Sequence, residues 1–255
     1  MRIVYTDFTT DDGRTPQQLA EEAVSSELGV IEDNSGNAMY TGFGKDGNPF
    51  YVCFFSYKSG AGDHRVAADI ASFMNGYDDP RRASYFNESA FSGGGYAGIQ
   101  IPDDDRINNF SRYNVTASTS LMWMNASTAL PGGYDDPAFG YSCSNQSTVT
   151  IPWNDGAAFE ENLERIITQK WIANFPLGTE AWADYRRTGY PRLFPVVVNN
   201  NPDITNLQLG ARRMTYPLEE YEANGETIRA AVDQWLGGQD KMSTRLWWDC
   251  NPRIR

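Results

Sequence analysis

Five aromatic side chains, Tyr85, Phe86, Phe91, Tyr96 and Tyr113, run through a stretch whose Gly and short polar residues allow neither helical nor strand periodicity, most plainly in Phe91-Ser-Gly-Gly-Gly-Tyr96. Rings placed this way have no regular face to bury them. A sugar ring packs its axial C–H bonds on an aromatic plane, while its hydroxyls need amide and carboxylate partners. Asn87 and Asn109 supply such partners within the stretch, and Asp103, Asp104 and Asn108 lie close in sequence. The constellation points to carbohydrate binding, with Tyr85, Phe86, Phe91, Tyr96, Tyr113, Asn87 and Asn109 as the contacting residues. The rival reading is that these rings close a small local core beneath long loops.

Other chemistry is poorly supplied. The acidic pairs Asp78/Asp79, Asp103 to Asp105 and Asp135/Asp136 could in principle provide the two carboxylates of a glycosidase. Asp-Asp-Pro is also ordinary turn chemistry, so these pairs need no catalytic role. The single His64 has no Ser or Cys motif, metal-ligand spacing or phosphate loop around it, and it reads as a solvated or capping side chain. Cys53, Cys143 and Cys250 allow one disulfide at most and show no zinc spacing. The Asp-rich loop could attract calcium, but lacks EF-hand spacing. The expectation is a binding protein, not an enzyme, with no catalytic residue, metal site or cofactor.

A formal charge of −12 excludes a nucleic-acid footprint, which needs clustered Lys and Arg, and excludes attraction to a membrane through a basic patch. The Arg pairs 81/82 and 186/187 sit beside Asp or inside helical pattern and read as structural ion pairs. Five Asn-x-Ser/Thr sequons, at Asn87, Asn109, Asn114, Asn125 and Asn145, are what a segment so rich in these residues produces by chance.

The elements that must position these residues are mostly helices. Thr15-Pro16 reads as an N-cap with Pro at the first helical position, opening a helix that should run to about Leu28. Phe50 to Tyr57 is a β-rich run. Val66, Ile70, Phe73 and Met74 share a helical face, with Asn75-Gly76 as the stop. Residues 77–152 form a loop-rich region. A helix opening near Asp155 carries Phe159, Leu163, Ile166, Ile167, Trp171 and Phe175 at spacings of three and four. A shorter one from Thr179 completes a helical hairpin over 155–191, with Arg186 and Arg187 expected to bond the free carbonyls at its end. Trp247-Trp248 should pin the tail. A last helix, capped at Asn224, should run from Glu226 to Leu236. No segment has the length of a membrane span, and the first residues lack the apolar run of a signal peptide.

Several ordered blocks resemble the SusD/RagB family of outer-membrane glycan-binding lipoproteins of Bacteroidetes. They are Arg165-Ile-Ile-Thr-Gln-Lys-Trp-Ile-Ala173, Glu180-Ala-Trp-Ala-Asp-Tyr-Arg-Arg-Thr-Gly-Tyr-Pro191, Arg212-Arg-Met-Thr-Tyr-Pro217 with Glu220 and Asn224, Leu236-Gly-Gly-Gln-Asp240, and Leu246-Trp-Trp-Asp249. Asp69 to Arg82 is similar to the family's mid-chain segment. The resemblance implies a mainly α fold with long loops, built from tetratricopeptide-like helical hairpins plus the loop-rich region. Residues 1–255 would be one SusD-like domain, the C-terminal half of a longer family member and incomplete relative to it. It further implies an oligosaccharide or polysaccharide ligand, a SusC-like TonB-dependent transporter as partner, and a surface-exposed place at the cell outer membrane. Relatives carry a lipoprotein signal, a lipidated Cys and an N-terminal half of helices that this sequence does not show. They also continue after Leu121-Met-Trp-Met-Asn125 into a further helical segment, where this chain passes straight to Ser127. Without those helices the aromatic stripe of 155–187 is expected to stay uncovered, leaving the chain marginally stable or self-associating. Most family-defining residues read as architecture. Two other readings stand beside the binding one: a truncated paralogue without binding function, and a glycoside hydrolase.

Overall fold

A computed structural model describes residues 9–27, 65–100, 109–111, 128–138, 140–175 and 177–251. The β-rich run 50–57, His64, Cys53, Asp103 to Asp105, Asn108 and Tyr113 lie outside the described residues. The described part is mainly helical, with long irregular connections. Contacts divide the chain into two units, one comprising 41–181 and 190–198, the other 1–40, 182–189 and 199–255.

Helix α1, Pro16–Val24, opens as its sequence predicts: Thr15 Oγ accepts the Gln18 N–H and Gln18 Oε1 accepts the Thr15 N–H at 2.8 Å, a complete capping box. It stops four residues before Leu28. None of its side chains is buried, so no packing extends it beyond its cap.

The first unit is built on α2, Ala68–Gly76, whose Ile70, Phe73 and Met74 are buried with Val66, Tyr77, Phe86, Ile151 and Ile172. As expected, α2 stops at Gly76, its last helical residue. The left-handed turn that follows is made by Asp78 at φ 50. Gly76 is needed for a different reason: a Cβ there would collide with the backbone of Pro131 and Gly132, which crosses the last turn. The short helix α3, Arg82–Tyr85, then turns the chain back. Beyond it lies mostly irregular structure, as expected for this region. Strands β1, Tyr134–Asp135, and β2, Ser142–Cys143, pair antiparallel with Tyr134 opposite Cys143. Tyr134 OH donates to Asp136 Oδ2 at 2.7 Å, so one acid of that pair is engaged in a buried structural bond.

Helix α4, Phe159–Ala173, begins four residues after Asp155 because Asn154 organises a turn first. Its Oδ1 accepts the Gly156 N–H and its carbonyl accepts the Ala157 N–H. The apolar stripe of α4 finds cover within the chain. Leu163, Ile167 and Ile172 are buried, and Trp171 and Phe175 pack on the α2 core, with Trp171 at 5.7 Å from Phe73. Phe159 alone of the expected set is well exposed, at 64%.

Asp69 in the first turn of α2 accepts the Phe194 N–H at 2.6 Å. Burial nonetheless pushes its carboxyl up from 3.8 to about 6, because the bond compensates only part of the lost hydration. A carboxyl raised in the folded state favours folding most at low pH, and that contribution is lost as pH rises from about 4 through about 6. Asp69→Asn keeps the acceptor and removes the charge. It should raise stability at pH 7.5 by up to about 3 kcal/mol and change it little at pH 4. Thermal unfolding of both proteins at the two pH values checks this; an unchanged or lower midpoint at pH 7.5 contradicts it.

Helix α5, Gly178–Thr188, has residues in both units. In the second unit residues from four of the blocks quoted for the family resemblance, those at 180–191, 212–217, 236–240 and 246–249, meet one another. Trp182 Nε1 donates to Ala211 O at 3.1 Å, and Arg186 lies between the Trp182 and Trp248 rings at 4.1 and 4.7 Å. Arg212 and Asp249 form a buried ion pair at 2.7 Å, and Arg213 pairs with Asp240. The α5 carbonyls of Arg187 and Thr188 are capped by Asn251 Nδ2. The two arginines act elsewhere: Arg187 bonds Asp184, and Arg186 donates to Arg212 O. Trp248 holds the tail through Arg186, whereas Trp247 is 75% exposed. Helix α6, Leu218–Trp235, starts after Pro217, ahead of the expected cap, and kinks at Asn224, whose φ of −133° and ψ of 32° are non-helical. Asn224 thus interrupts a helix already under way. Ile228, Val232 and Leu236 form its buried face.

Candidate functional site

Of the predicted aromatic residues that the structure describes, Tyr85, Phe86 and Tyr96 gather against the α2 core, while Phe91 packs on Phe110. Tyr85 closes α3, and its ring stacks on Phe175 at 5.1 Å. The Phe86 ring lies 6.1 Å from Tyr85, 6.4 Å from Tyr96 and 5.7 Å from Phe175. Tyr85 and Tyr96 therefore lean on a common support, and both are only half-buried. That support is 1% exposed, which corrects the expectation that Phe86 contacts a ligand: enclosed by three rings, it presents no face to a sugar. Phe86 belongs to the α2 core, with Tyr85 and Tyr96 packed half-buried against it, and buried Phe110 packs with Phe91 under the loops.

The loop carrying Phe91 and Tyr96 is fixed by its own backbone. Ser89 N–H donates to Gly95 O at 2.7 Å, Ser89 Oγ to Gly94 O, and Gly94 N–H to Phe91 O. Gly94 and Gly95 have φ of 63° and 75°, a left-handed pair that side-chain-bearing residues adopt at a cost. Residues 109–111 lace onto this loop: Ala90 N–H donates to Asn109 O and Ser111 N–H to Ala97 O. Phe91 meets Phe110 edge-on at 4.9 Å. Asn87 is exposed and Asn109 half-buried. Tyr113 lies outside the described residues.

The structure adds three polar residues that sequence reasoning did not assign to the site. Asn75 Nδ2 donates to Tyr96 O at 2.8 Å, and Arg82 places its guanidinium 5.7 Å from the Tyr96 ring centre. Arg82 pairs in turn with Asp78 at i,i+4 spacing, in keeping with the reading of the Arg81/Arg82 pair as structural. Asp79, the other acid of that pair, is buried and held by Arg81. Its lone pairs are engaged in structure, as are those of Asp136, which accepts bonds from Tyr134 OH and Ala138 N–H. Among the described residues no group of three His, Cys, Asp or Glu side chains could hold a metal ion, and Cys143 and Cys250 are free thiols.

Half-exposed rings backed by a buried core, with the Arg82 guanidinium and the Asn75 amide at Tyr96 and the Asp78 carboxylate paired to Arg82, can stack on a sugar face and bond its hydroxyls. A family model described as SusD-like, Susd and RagB outer membrane lipoprotein, matches residues 1–130 and 127–249. The chain belongs to the SusD-like family. Solved structures agree. A SusD homologue from Bacteroides uniformis is 39% identical with a TM-score of 0.77, over 91% of this chain and 59% of that one. One from Bacteroides thetaiotaomicron is 35% identical with a TM-score of 0.77, over 98% and 63%. A chitin-binding SusD homologue from Flavobacterium johnsoniae is 31% identical with a TM-score of 0.71, over 92% and 59%. The SusD-like chain thus spans about three fifths of each of these solved relatives. No curated protein sequence matches it. Four of the quoted blocks meet around Arg186, Arg212 and Asp249, where their side chains are engaged in bonds within the chain. The aromatic rim lies apart from them in sequence.

Proposed function

We propose that this SusD-like protein is a non-catalytic glycan-binding protein that captures oligosaccharides or polysaccharides at the rim formed by Tyr85, Phe91, Tyr96, Asn87 and Asn109, with Tyr113 as a further contact. In this reading it sits at the cell surface on the outer membrane and passes its ligand to a SusC-like TonB-dependent transporter. The observation that carries the reading is the half-exposed pair Tyr85 and Tyr96 braced on buried Phe86, since a rigid ring loses little entropy on stacking. Family membership and the chitin-binding relative support it. Nucleic acid is no partner for a chain of charge −12.

Binding by a few stacked C–H faces and solvent-competed hydrogen bonds is weak. Tyr96→Ala should reduce retention in a polysaccharide gel roughly three- to tenfold, Tyr85→Ala similarly, with far-UV circular dichroism unchanged. Unaltered retention in both would move the site elsewhere. No reducing ends should be released from the bound polysaccharide, because Asp79 and Asp136 are engaged in buried structural bonds. Release that a single Asp→Asn change abolishes would favour a hydrolase.

A further inference from the structure

Asn75, Asp78 and Arg82 form one bonded unit beside the Tyr96 ring. Each guanidinium nitrogen of Arg82 already donates within the chain: Nε to Asp79 O at 3.1 Å, Nη1 to Asn75 Oδ1 at 3.4 Å and Nη2 to Asp78 Oδ1. The Arg82 side chain is only 23% exposed, whereas that of Asp78 is 85% exposed. Asn75 ties the same unit to the ring by donating to the Tyr96 carbonyl. A ligand stacking at Tyr96 therefore meets a guanidinium whose charge is offset from within, and beside it a carboxylate with lone pairs to spare.

That arrangement separates two classes of sugar. Vicinal hydroxyls of an uncharged sugar can donate to a fixed carboxylate, and such charge-assisted bonds are stronger than neutral ones. The carboxylate of a uronic acid or a sulfate ester would have to displace Asp78 from Arg82, against like-charge repulsion. Glu88, exposed in the adjoining loop, and the net charge of −12 add to that repulsion. We propose that Asp78, held by Arg82 and Asn75 beside Tyr96, reads the hydroxyls of the bound sugar, so that the site selects uncharged glycans over uronic-acid and sulfated ones. The inference rests on the glycan-binding reading above.

The test is affinity electrophoresis of the whole chain in gels containing neutral polysaccharides (β-glucan, galactomannan, arabinoxylan) or anionic ones (polygalacturonate, alginate, chondroitin sulfate). Mobilities are normalised to a glycan-free gel. Retention is expected in at least one neutral gel and in no anionic gel. Asp78→Asn is a clean probe, since Asn tolerates the φ of 50° at position 78 and the fold is kept while the charge is removed. It should weaken retention in the neutral gel about three- to tenfold. Retention in anionic gels alone, or Asp78→Asn retained as strongly as the parent in a neutral gel, overturns the selection while leaving glycan binding intact. Failure of the parent in every gel of both classes overturns the glycan reading and the inference with it.

Discussion

Replacing Asp79 by Ala should lower the stability of the chain by about 3–5 kcal/mol, a large share of the ~5–15 kcal/mol that holds a domain together. Asp79 is 0% exposed, and Arg81 grips it through both carboxylate oxygens: backbone N–H and Nε reach Oδ1 at 2.9 Å, and Nε and Nη2 reach Oδ2 at 3.0 and 2.5 Å. Nη2 also donates to Gln169 on α4 at 3.1 Å, so the pair joins the turn after α2 to that helix. Deleting the carboxylate strands a buried guanidinium without its counter-charge, which costs far more than a surface pair would. A thermal midpoint lowered by roughly 10 °C is expected for a chain of this size. A midpoint within a degree or two of the parent would show that the pair does not organise the turn from which Asp78 and Arg82 project.

The second large effect is expected at Phe86. Phe86→Ala removes a ring enclosed by Tyr85, Tyr96 and Phe175 and leaves a cavity in the α2 core, which should cost about 3–5 kcal/mol. Tyr85→Ala and Tyr96→Ala remove half-exposed rings from the rim and should cost less stability while reducing glycan retention more. Denaturant midpoints and gel retention measured on all three variants separate the roles. If Phe86→Ala abolished retention with an unchanged midpoint, Phe86 would be a contact residue and not the support of the rim.

Comparing neighbours in sequence shows what could be read from the chain and what could not. The spacing of Val66, Ile70, Phe73 and Met74 and that of Leu163, Ile167 and Trp171 announced α2 and α4, because helical faces are written locally. Thr15-Pro16 announced the start of α1 for the same reason. Tyr85 and Phe86 could not be told apart, since Phe175 and Tyr96, distant along the chain, decide which ring is enclosed and which stays at the rim. A structural role for Arg82 beside its neighbouring acids was legible, but its pairing with Asp78 and its place in the site depend on the fold, through the bond from Asn75 to the Tyr96 carbonyl, 21 residues away. The cap on α5 was missed similarly. Arg186 and Arg187 stand next to the open carbonyls, yet Asn251, more than 60 residues on, fills them. Of the stripe expected to need helices from outside, Trp171 and Phe175 pack on the α2 core within this chain, while Phe159 stays exposed.

The central claim is that the aromatic rim at the end of α2 holds the glycan. Its most direct test compares the parent with a Tyr85→Ala/Tyr96→Ala double variant in a polysaccharide gel that retains the parent, beside Trp247→Ala, which removes the 75% exposed ring of the other unit. The double variant is expected to lose retention by at least about tenfold while keeping its circular dichroism spectrum, and Trp247→Ala to be retained like the parent. Undiminished retention of the double variant, or its loss in Trp247→Ala alone, would contradict it.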